Sequence, residues 1–177
     1  HTDTTPVATG ADKGTLGTGL ANTMTVDLAA GADALILGNF ANTGTVSNVE
    51  TITGGTAVDI VTLATVVTAG VFNLGTGIDT LILADGTNSA TVSNIETVTG
   101  GTGADTITVG AALVAASINL GAGTDVLTLG NFANTATVSN AQTLTGRTGD
   151  DTITLATTLP GRLRQPPAGP AASTKAP

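Results

Sequence analysis

The sequence predicts an all-β protein, a right-handed parallel β-solenoid (β-helix or β-roll-like) of about seven rungs. Three observations predict it: a long internal repeat, apolar residues that alternate with polar ones, and glycine-rich turns that end in aspartate. The phrase Thr-Val-Ser-Asn recurs with a fixed period of 46, beginning at Thr45, Thr91 and Thr137. A fixed period in this range is typical of stacked units, each of which buries its apolar side against its neighbours.

Each repeat contains two related turns, and each turn ends in an aspartate. Longer and shorter intervals alternate along this series of residues: Asp33, Asp59, Asp79, Asp105, Asp125 and Asp151. The positions seven before, two after and four after each aspartate are apolar in every copy. This period of two is the pattern of a half-buried strand, so one rung is predicted to be a strand, a turn, a strand and a return path.

The longer interval, as from Asp79 to Asp105, has room for one more short strand, near residues 90–92 and 136–138. An antiparallel sandwich of short strands is the alternative architecture. It is disfavoured because stacked rungs place the apolar positions in phase automatically, whereas a sandwich would need a coincidence. Outside the repeat solenoid at 24–159, the sequence predicts a degenerate first rung or N-terminal cap at 1–23 and a disordered, proline-rich tail at 160–177.

Composition excludes several classes of function. The net charge is −8, and Lys13 and Arg147 are the only basic residues before position 160, so nucleic acid is not an expected partner. Cysteine is absent and His1 is the only histidine. No nucleophile and base are paired in the repeats, and no apolar run is long enough to span a membrane. We therefore expect a protein that is neither an enzyme nor a membrane-spanning protein.

One turn fits a known calcium-binding pattern at every defined position. Residues 100–108 read G-G-T-G-A-D-T-I-T, which matches G-G-x-G-x-D-x-U-x, where U is a large apolar residue. The equivalent turns depart from it at Ala57 and Arg147. Over roughly residues 24–156 the chain resembles the RTX, or hemolysin-type calcium-binding, repeat family. It differs in that its turns do not recur back to back, which predicts that at most one edge of the solenoid carries them.

The resemblance implies calcium as the bound ion and the turns as its sites. The residues that it implicates are the six aspartates, Asp33, Asp59, Asp79, Asp105, Asp125 and Asp151, together with the turn glycines Gly55, Gly77, Gly101, Gly103 and Gly123. It also implies a bacterial protein that is secreted or displayed at the cell surface, with a structural or adhesive role.

A physical argument for calcium stands beside the resemblance. Stacked rungs would place six carboxylates in one column about 4.8 Å apart, and no Lys or Arg between positions 14 and 146 could neutralise them. Carboxylate and turn carbonyl oxygens are the ligands that calcium prefers. The alternative is that each aspartate accepts hydrogen bonds from backbone N–H groups of its turn and needs no ion.

Three further ladders are visible in the sequence. Asparagines recur at Asn42, Asn88 and Asn134 and at Asn48, Asn94 and Asn140, and we interpret both sets as structural hydrogen-bond ladders. Glu50 and Glu96 give way to Gln142, which indicates a solvated face. Thr-x-Thr pairs at 51–53, 97–99 and 143–145 resemble the threonine rows of ice-binding proteins, although Val71 and Asn73 interrupt them.

The sequence therefore supports one main hypothesis and two alternatives. The main hypothesis is a calcium-binding repeat module of a secreted or cell-surface bacterial protein. The first alternative is a metal-independent structural solenoid that self-assembles into a surface layer or filament. An ice-binding threonine face is a minor alternative.

Overall fold

The structure, a computed structural model, describes residues 9–157 together with two short strands beyond them, Arg162–Arg164 and Ser173–Lys175. It is a parallel β-solenoid with no helix in these residues, which confirms the predicted architecture and excludes the antiparallel sandwich. The chain alternates between two parallel sheets of nine strands each, and every rung contributes one strand to each sheet. Strands β3 to β16 form seven such rungs around one core.

The odd-numbered strands form the first sheet: β1 (Lys13–Thr15), β3 (Ala34–Ile36), β5 (Thr51–Gly55), β7 (Gly70–Gly75), β9 (Ser89–Ser93), β11 (Thr106–Val109), β13 (Val126–Thr128), β15 (Thr143–Thr145) and β17 (Arg162–Arg164). The even-numbered strands form the second sheet: β2 (Thr25–Asp27), β4 (Asn42–Ser47), β6 (Asp59–Leu63), β8 (Thr80–Ile82), β10 (Thr97–Thr99), β12 (Ala116–Asn119), β14 (Thr135–Ser139), β16 (Thr152–Leu155) and β18 (Ser173–Lys175). The extra strands predicted in the longer intervals are confirmed as β9 and β14.

Rungs are shorter than the spacing of the aspartates suggests. Between β2 and β16, the sequence numbers of paired residues in neighbouring strands differ by 17 or 20, as for Thr91 with Thr108 and Ile52 with Phe72. The sequence interpretation gave one rung to each aspartate, so that every longer interval was a single rung, and this was wrong. The third strand in each longer interval adds half a rung.

That extra strand has a large effect on symmetry. Each 46-residue repeat contains five strands, an odd number, so equivalent strands of successive repeats fall in opposite sheets. Ile52 lies in β5 of the first sheet, its equivalent Val98 lies in β10 of the second sheet, and Leu144 lies again in the first sheet. Successive repeats are therefore related by about half a turn around the solenoid axis.

The connections between strands lie along two edges, which we name by chain direction. At edge I the chain passes from the first sheet to the second, and at edge II it returns from the second to the first. Edge I comprises residues 16–24, 37–41, 56–58, 76–79, 94–96, 110–115, 129–134 and 146–151. Edge II comprises residues 28–33, 48–50, 64–69, 83–88, 100–105, 120–125 and 140–142.

The core is a stack of thin aliphatic layers between the sheets. Of the eighteen positions that the sequence predicts to be apolar and internal, seventeen are buried, and only Val26 in β2 is partly exposed. Phe72 is the largest fully buried side chain, and it pairs in register with Ile52 below and Val92 above. In-register stacking of like residues explains how a chain with three Phe and no Trp or Tyr fills its core.

The predicted terminal segments are described only in part. Within the expected cap at 1–23, β1 pairs in parallel with β3, so the chain is already solenoidal at Lys13, and residues 1–8 lie outside the described residues. Within the expected disordered tail at 160–177, the backbones of β17 and β18 pair in parallel with β15 and β16. The remaining tail residues lie outside the described part, so that prediction stays a prediction for them.

The burial of Phe72 predicts that truncating its side chain destabilises the fold. We expect Phe72→Ala to destabilise the fold by about 3–5 kcal/mol, because it leaves a cavity between sheets that cannot close. Val71→Ala, at a half-exposed neighbouring position, should change stability by less than about 0.5 kcal/mol. Urea denaturation of both variants measures the difference, and equal effects would contradict the assignment of the inward face.

Candidate functional site

The six aspartates singled out by the sequence do not form one column. Asp59, Asp79 and Asp151 end connections at edge I, whereas Asp33, Asp105 and Asp125 do so at edge II. The expectation that one edge carries all the turns was therefore wrong, and its cause is the half-turn between successive repeats. All six side chains are buried rather than displayed in exposed turns, with at most 6 % of their surface accessible.

At edge I the aspartates belong to a longer column that sequence reasoning did not assemble. It contains, in rung order, Asn42, Asp59, Asp79 and Glu96, and after one rung it continues with Asn134 and Asp151. The backbone N–H of Asp59 donates to Asp79 Oδ1 at 2.8 Å, and the N–H of Asp79 donates to Glu96 Oε2 at 2.8 Å. Asp79 and Glu96 therefore each accept a backbone N–H from the entrance of the strand that lies one rung earlier in the same sheet.

Edge II carries a second column with the same chemistry. Its members are Asp12, Asp33 and Glu50, followed after one rung by Asn88, Asp105, Asp125 and Gln142. The N–H of Asp105 donates to Asp125 Oδ1 at 2.8 Å, and the N–H of Asp125 donates to Gln142 Oε1. Every one of these bonds runs from an earlier rung to the next one along the chain.

The asparagines are the most fully bonded members of both columns. The Nδ2 group of Asn88 donates to Asp105 Oδ1 at 2.9 Å and to the carbonyl oxygens of Ala84 and Gly86. Its Oδ1 accepts the backbone N–H of Val67 at 3.2 Å. These asparagines hydrogen-bond along the solenoid, but the predicted stacking of one asparagine on another is wrong for this set. Asn42 and Asn134 lie at edge I and Asn88 lies at edge II, and each bonds an aspartate of the next rung.

A signal for the asparagine ladder was present in the sequence. Asn42, Asn88 and Asn134 each precede an aspartate by the length of a short rung, a difference of 17 in sequence number. The recurrence of that difference would have indicated both the rung length and the partner of each asparagine.

The glutamate positions need a correction. The change from Glu50 and Glu96 to Gln142 was interpreted as a solvated face, but these side chains are half-buried members of the columns. Their side-chain oxygens accept the N–H groups of Asp33, Asp79 and Asp125. An amide and a carboxylate offer the same acceptor oxygen, which explains why Gln142 can replace glutamate.

The second carboxylate oxygen of most of these aspartates is left without a partner. The Oδ2 atoms of Asp12, Asp33, Asp59, Asp79, Asp105 and Asp125 are buried and make no hydrogen bond. In two of the turns this oxygen packs against the first glycine of the motif: a Cβ on Gly54 would lie 2.7 Å from Asp59 Oδ2, and one on Gly100 would lie 2.7 Å from Asp105 Oδ2. The first glycine therefore makes room for the carboxyl group.

The remaining turn glycines let neighbouring turns stack closely. Gly103 has φ +119°, and a Cβ there would lie 2.5 Å from the carbonyl group of Gly86 in the preceding rung. A side chain on Gly55 would collide with the carbonyl oxygen of Gly38 in the same way. Gly77 lies at edge I and Gly55 ends β5 directly before this edge, whereas Gly101, Gly103 and Gly123 lie at edge II. At all five positions, neighbouring atoms come too close to leave room for a side chain. The glycines therefore have a structural reason that does not require a bound ion.

Burial raises the pKa of one carboxyl group in each column. Loss of water around the carboxyl group raises the pKa of Asp79, the N–H of Asp59 opposes this shift, and the negative charges of Asp59 and Glu96 add to it. Burial likewise raises the pKa of Asp125, against the N–H of Asp105 and with the charge of Asp105. Each column thus contains a carboxyl group that binds its proton more tightly than a free aspartate.

The fit of these residues to calcium is incomplete. Within the described residues, no three His, Cys, Asp or Glu side chains converge to hold a metal ion. Calcium takes about six to eight oxygen ligands, but in each column Oδ1 is already engaged by a backbone N–H and Oδ2 points into its own turn. The chemistry of the donors suits calcium, whereas their arrangement does not form a ready site.

Threonine rows are present on both sheets, in a register that differs from the expected one. Thr51 and Thr97 fall in opposite sheets because successive repeats alternate. On the second sheet one row contains Thr43, Ile60, Thr80, Thr97, Ser117, Thr137 and Thr154. On the first sheet one row contains Thr51, Val71, Thr91, Thr108, Thr128 and Thr145. An apolar residue breaks each row, so neither offers an unbroken array to ice.

Comparison with known proteins finds no family model that matches the chain, and no curated protein or solved structure that matches it significantly. The resemblance to RTX repeats therefore rests on the turn motif alone. In the part of the chain that the structure describes, no helix is long and apolar enough to cross a membrane.

Replacing one asparagine of a column tests how much its hydrogen bonds contribute to the free energy of unfolding. We expect Asn88→Ala to cost about 2–4 kcal/mol, because it strips buried partners from Val67 N–H, Asp105 Oδ1 and two carbonyl oxygens. Asn131→Ala, at an exposed position in an edge I connection, should cost less than about 0.5 kcal/mol. Thermal and urea unfolding measure both, and a mild effect at Asn88 would show that water can replace the ladder.

The raised pKa values predict an unusual response to pH. Asp79 and Asp125 bind protons more tightly in the folded chain than in the unfolded chain, so their contribution to stability falls as the pH rises above the unfolded value of 3.8. Asp27 acts in the opposite direction, because hydrogen bonds from Ala29 N–H and the Asn48 side chain lower its pKa. A variant is therefore needed to isolate the buried groups.

We expect Asp125→Asn to melt no lower than the parent chain at pH 7 and to gain less stability between pH 7 and pH 4.5. The amide keeps the acceptor for Asp105 N–H and cannot ionise. Asp150→Asn, at an exposed position, is the control and should leave the pH dependence unchanged. A variant at position 125 that melts much lower at pH 7 would show that the negative charge itself is required.

Proposed function

We propose that this chain is a structural repeat module, a metal-independent solenoid whose rigid stack of rungs is itself the functional element. The observation that carries the proposal is the pair of hydrogen-bond columns at the edges. Their members accept backbone N–H groups at strand entrances, so the aspartates have a structural task that needs no ion. A rod held together in this way suits a spacer, a surface layer or a filament.

The low surface charge and the repeated architecture support this proposal. Only 10 % of residues are charged, and the parallel sheets extend along one axis without interruption from β1 to β16. Solenoids of this kind are stabilised by contacts between neighbouring rungs, so they tolerate changes in length. The RTX-like turn motif is the reason to place the module in a bacterial protein that is secreted or displayed at the cell surface, with an adhesive or scaffolding role.

Calcium binding is a second candidate, favoured by one specific observation. Six carboxylate Oδ2 atoms are buried without any partner, which is a costly arrangement for ionised groups. A divalent cation would relieve it if the turns opened enough for Oδ2 to reach the ion. Asp59 with Asp79 at edge I and Asp105 with Asp125 at edge II are the pairs that would take part, because they occupy neighbouring rungs.

Thermal unfolding with and without calcium distinguishes the two candidates. For the metal-independent solenoid we expect the chain to show β-type circular dichroism in EGTA and to melt within about 2 °C of the same temperature in millimolar calcium. A calcium site filled to about 100 times its Kd would add about 2.7 kcal/mol, and so raise the melting temperature by about 5 °C or more. Magnesium at equal concentration is the control for ionic strength.

The response to calcium cannot support both candidate functions. A chain that is unfolded in EGTA and folds when calcium is added would overturn the metal-independent proposal and establish the second candidate. In that case Asp125→Asn should weaken the response to calcium, whereas Asp150→Asn should retain it.

A further inference from the structure

Edge I carries a row of exposed apolar side chains. Their accessible fractions are 44 % for Phe40, 46 % for Val58, 72 % for Ile78, 76 % for Val114 and 42 % for Phe132. They occupy the connections that lead into β4, β6, β8, β12 and β14, one residue in each. Between the two phenylalanines, only the connection into β10 contributes none, because its single apolar residue, Ile95, is buried. We call the five exposed residues the edge I row.

The row follows the solenoid axis. Neighbouring strands of a sheet lie about 4.8 Å apart, so the five intervals from the rung of Phe40 to that of Phe132 span about 24 Å. Exposed apolar side chains that recur in five of six successive rungs at one edge point to an interaction surface, whereas single scattered ones are ordinary.

Comparison of the two edges shows that the row is not a by-product of the repeat. Because successive repeats alternate, the equivalents of edge I residues 46 positions away lie at edge II. There, Phe40 and Phe132 correspond to Gly86, Val58 to Ala104, Ile78 to Thr124, and Val114 to Thr68. Every large apolar residue of the row is therefore replaced by a small or polar residue at the opposite edge. Val66 is the one large apolar residue exposed at edge II within the described residues.

Edge I is also free of exposed charge along the row. Between Phe40 and Phe132, the acidic residues at this edge are Asp59 and Asp79, which are buried, and Glu96, which is half-buried and accepts the N–H of Asp79. No basic residue lies there. Two chains of net charge −8 could thus bring this edge together without placing exposed charges in contact.

The order of the row is self-complementary. Counted by rungs, Phe40 and Phe132 are its two ends, Val58 and Val114 lie one rung inside them, and Ile78 and the connection at 94–96 lie at the centre. A two-fold axis between the β8 and β10 rungs would place Phe40 against Phe132, Val58 against Val114, and the protruding Ile78 against the short connection of the other copy. This is the self-matching that an isologous interface requires.

We propose that the edge I row is a homodimer interface, which joins two copies of this chain edge to edge with their axes antiparallel. The proposal is independent of whether the columns bind calcium. A strip about 24 Å long and about 10 Å wide, the spacing of the two sheets, is smaller than the roughly 800 Å² per partner of a stable complex. The dimer is therefore weak and reversible, and it forms at high protein concentration.

Sedimentation velocity over a range of concentrations tests the interface. We expect the parent chain to shift toward a dimer as its concentration approaches about 1 mM. Ile78→Asp places a charge at the centre of the row and should abolish the shift. Val66→Asp introduces the same charge at an exposed position of edge II, and should dimerise like the parent chain. Circular dichroism checks that both variants are folded.

Disulfide trapping tests the antiparallel register, because the chain has no cysteine of its own. Val58→Cys and Val114→Cys face each other across the proposed axis, so an oxidised equimolar mixture of the two variants should give the mixed dimer at well above twice the yield of either like dimer, which is the ratio for random pairing. A statistical yield would contradict the two-fold arrangement.

Three results would overturn the proposal. The first is a parent chain that stays monomeric at about 1 mM, and the second is an equal loss of association in the Ile78→Asp and Val66→Asp variants. The third is a monomeric chain that instead binds uncharged phosphatidylcholine vesicles and loses this binding with Ile78→Asp, which would assign the row to a lipid surface.

Discussion

The hydrogen bond from a backbone N–H at the entrance of one strand to a side-chain oxygen in the next rung is the interaction on which the structure depends. Parallel strands satisfy their own backbone groups within the sheets, but the residues that enter each strand from a turn lie beyond the ladder. Buried N–H groups in that position need an acceptor. Aspartate, asparagine, glutamate and glutamine side chains of the next rung supply it in turn.

This arrangement explains why so acidic a chain can place carboxylates in its interior. Each one accepts a backbone N–H, and Asp59 and Asp105 also accept an asparagine Nδ2 group at the same oxygen, Oδ1. The burial that orders the columns is the same burial that raises the pKa of Asp79 and Asp125. At Asp79 and Asp125 the solenoid therefore couples protonation to the packing of its edges.

Much of this fold follows from the sequence, because in-register stacking places residues that are one rung apart in the sequence next to each other in space. The parallel solenoid, the inward positions such as Leu35 and Ile107, and the extra strands β9 and β14 were all predicted correctly. The division of the aspartates between two edges was not, since it depends on the number of strands per repeat being odd. Two strand boundaries decide that number, and boundaries are the least certain feature of a strand pattern. The role of Glu50 and Glu96 was missed for a related reason, because their partners lie one short rung away in the chain and become neighbours only when the rung length is known.

Because each repeat contains an odd number of strands, gaining or losing an odd number of repeats has a different effect from gaining or losing an even number. Inserting or deleting one 46-residue repeat would carry every downstream residue to the opposite sheet and the opposite edge, while leaving the core positions filled. Inserting or deleting two repeats would restore the original sheet and edge. Phe40 and Phe132, which are two repeats apart, both lie at edge I. Length variants of this solenoid should thus fold with either parity, but a surface spread over several repeats survives only when repeats are gained or lost in pairs.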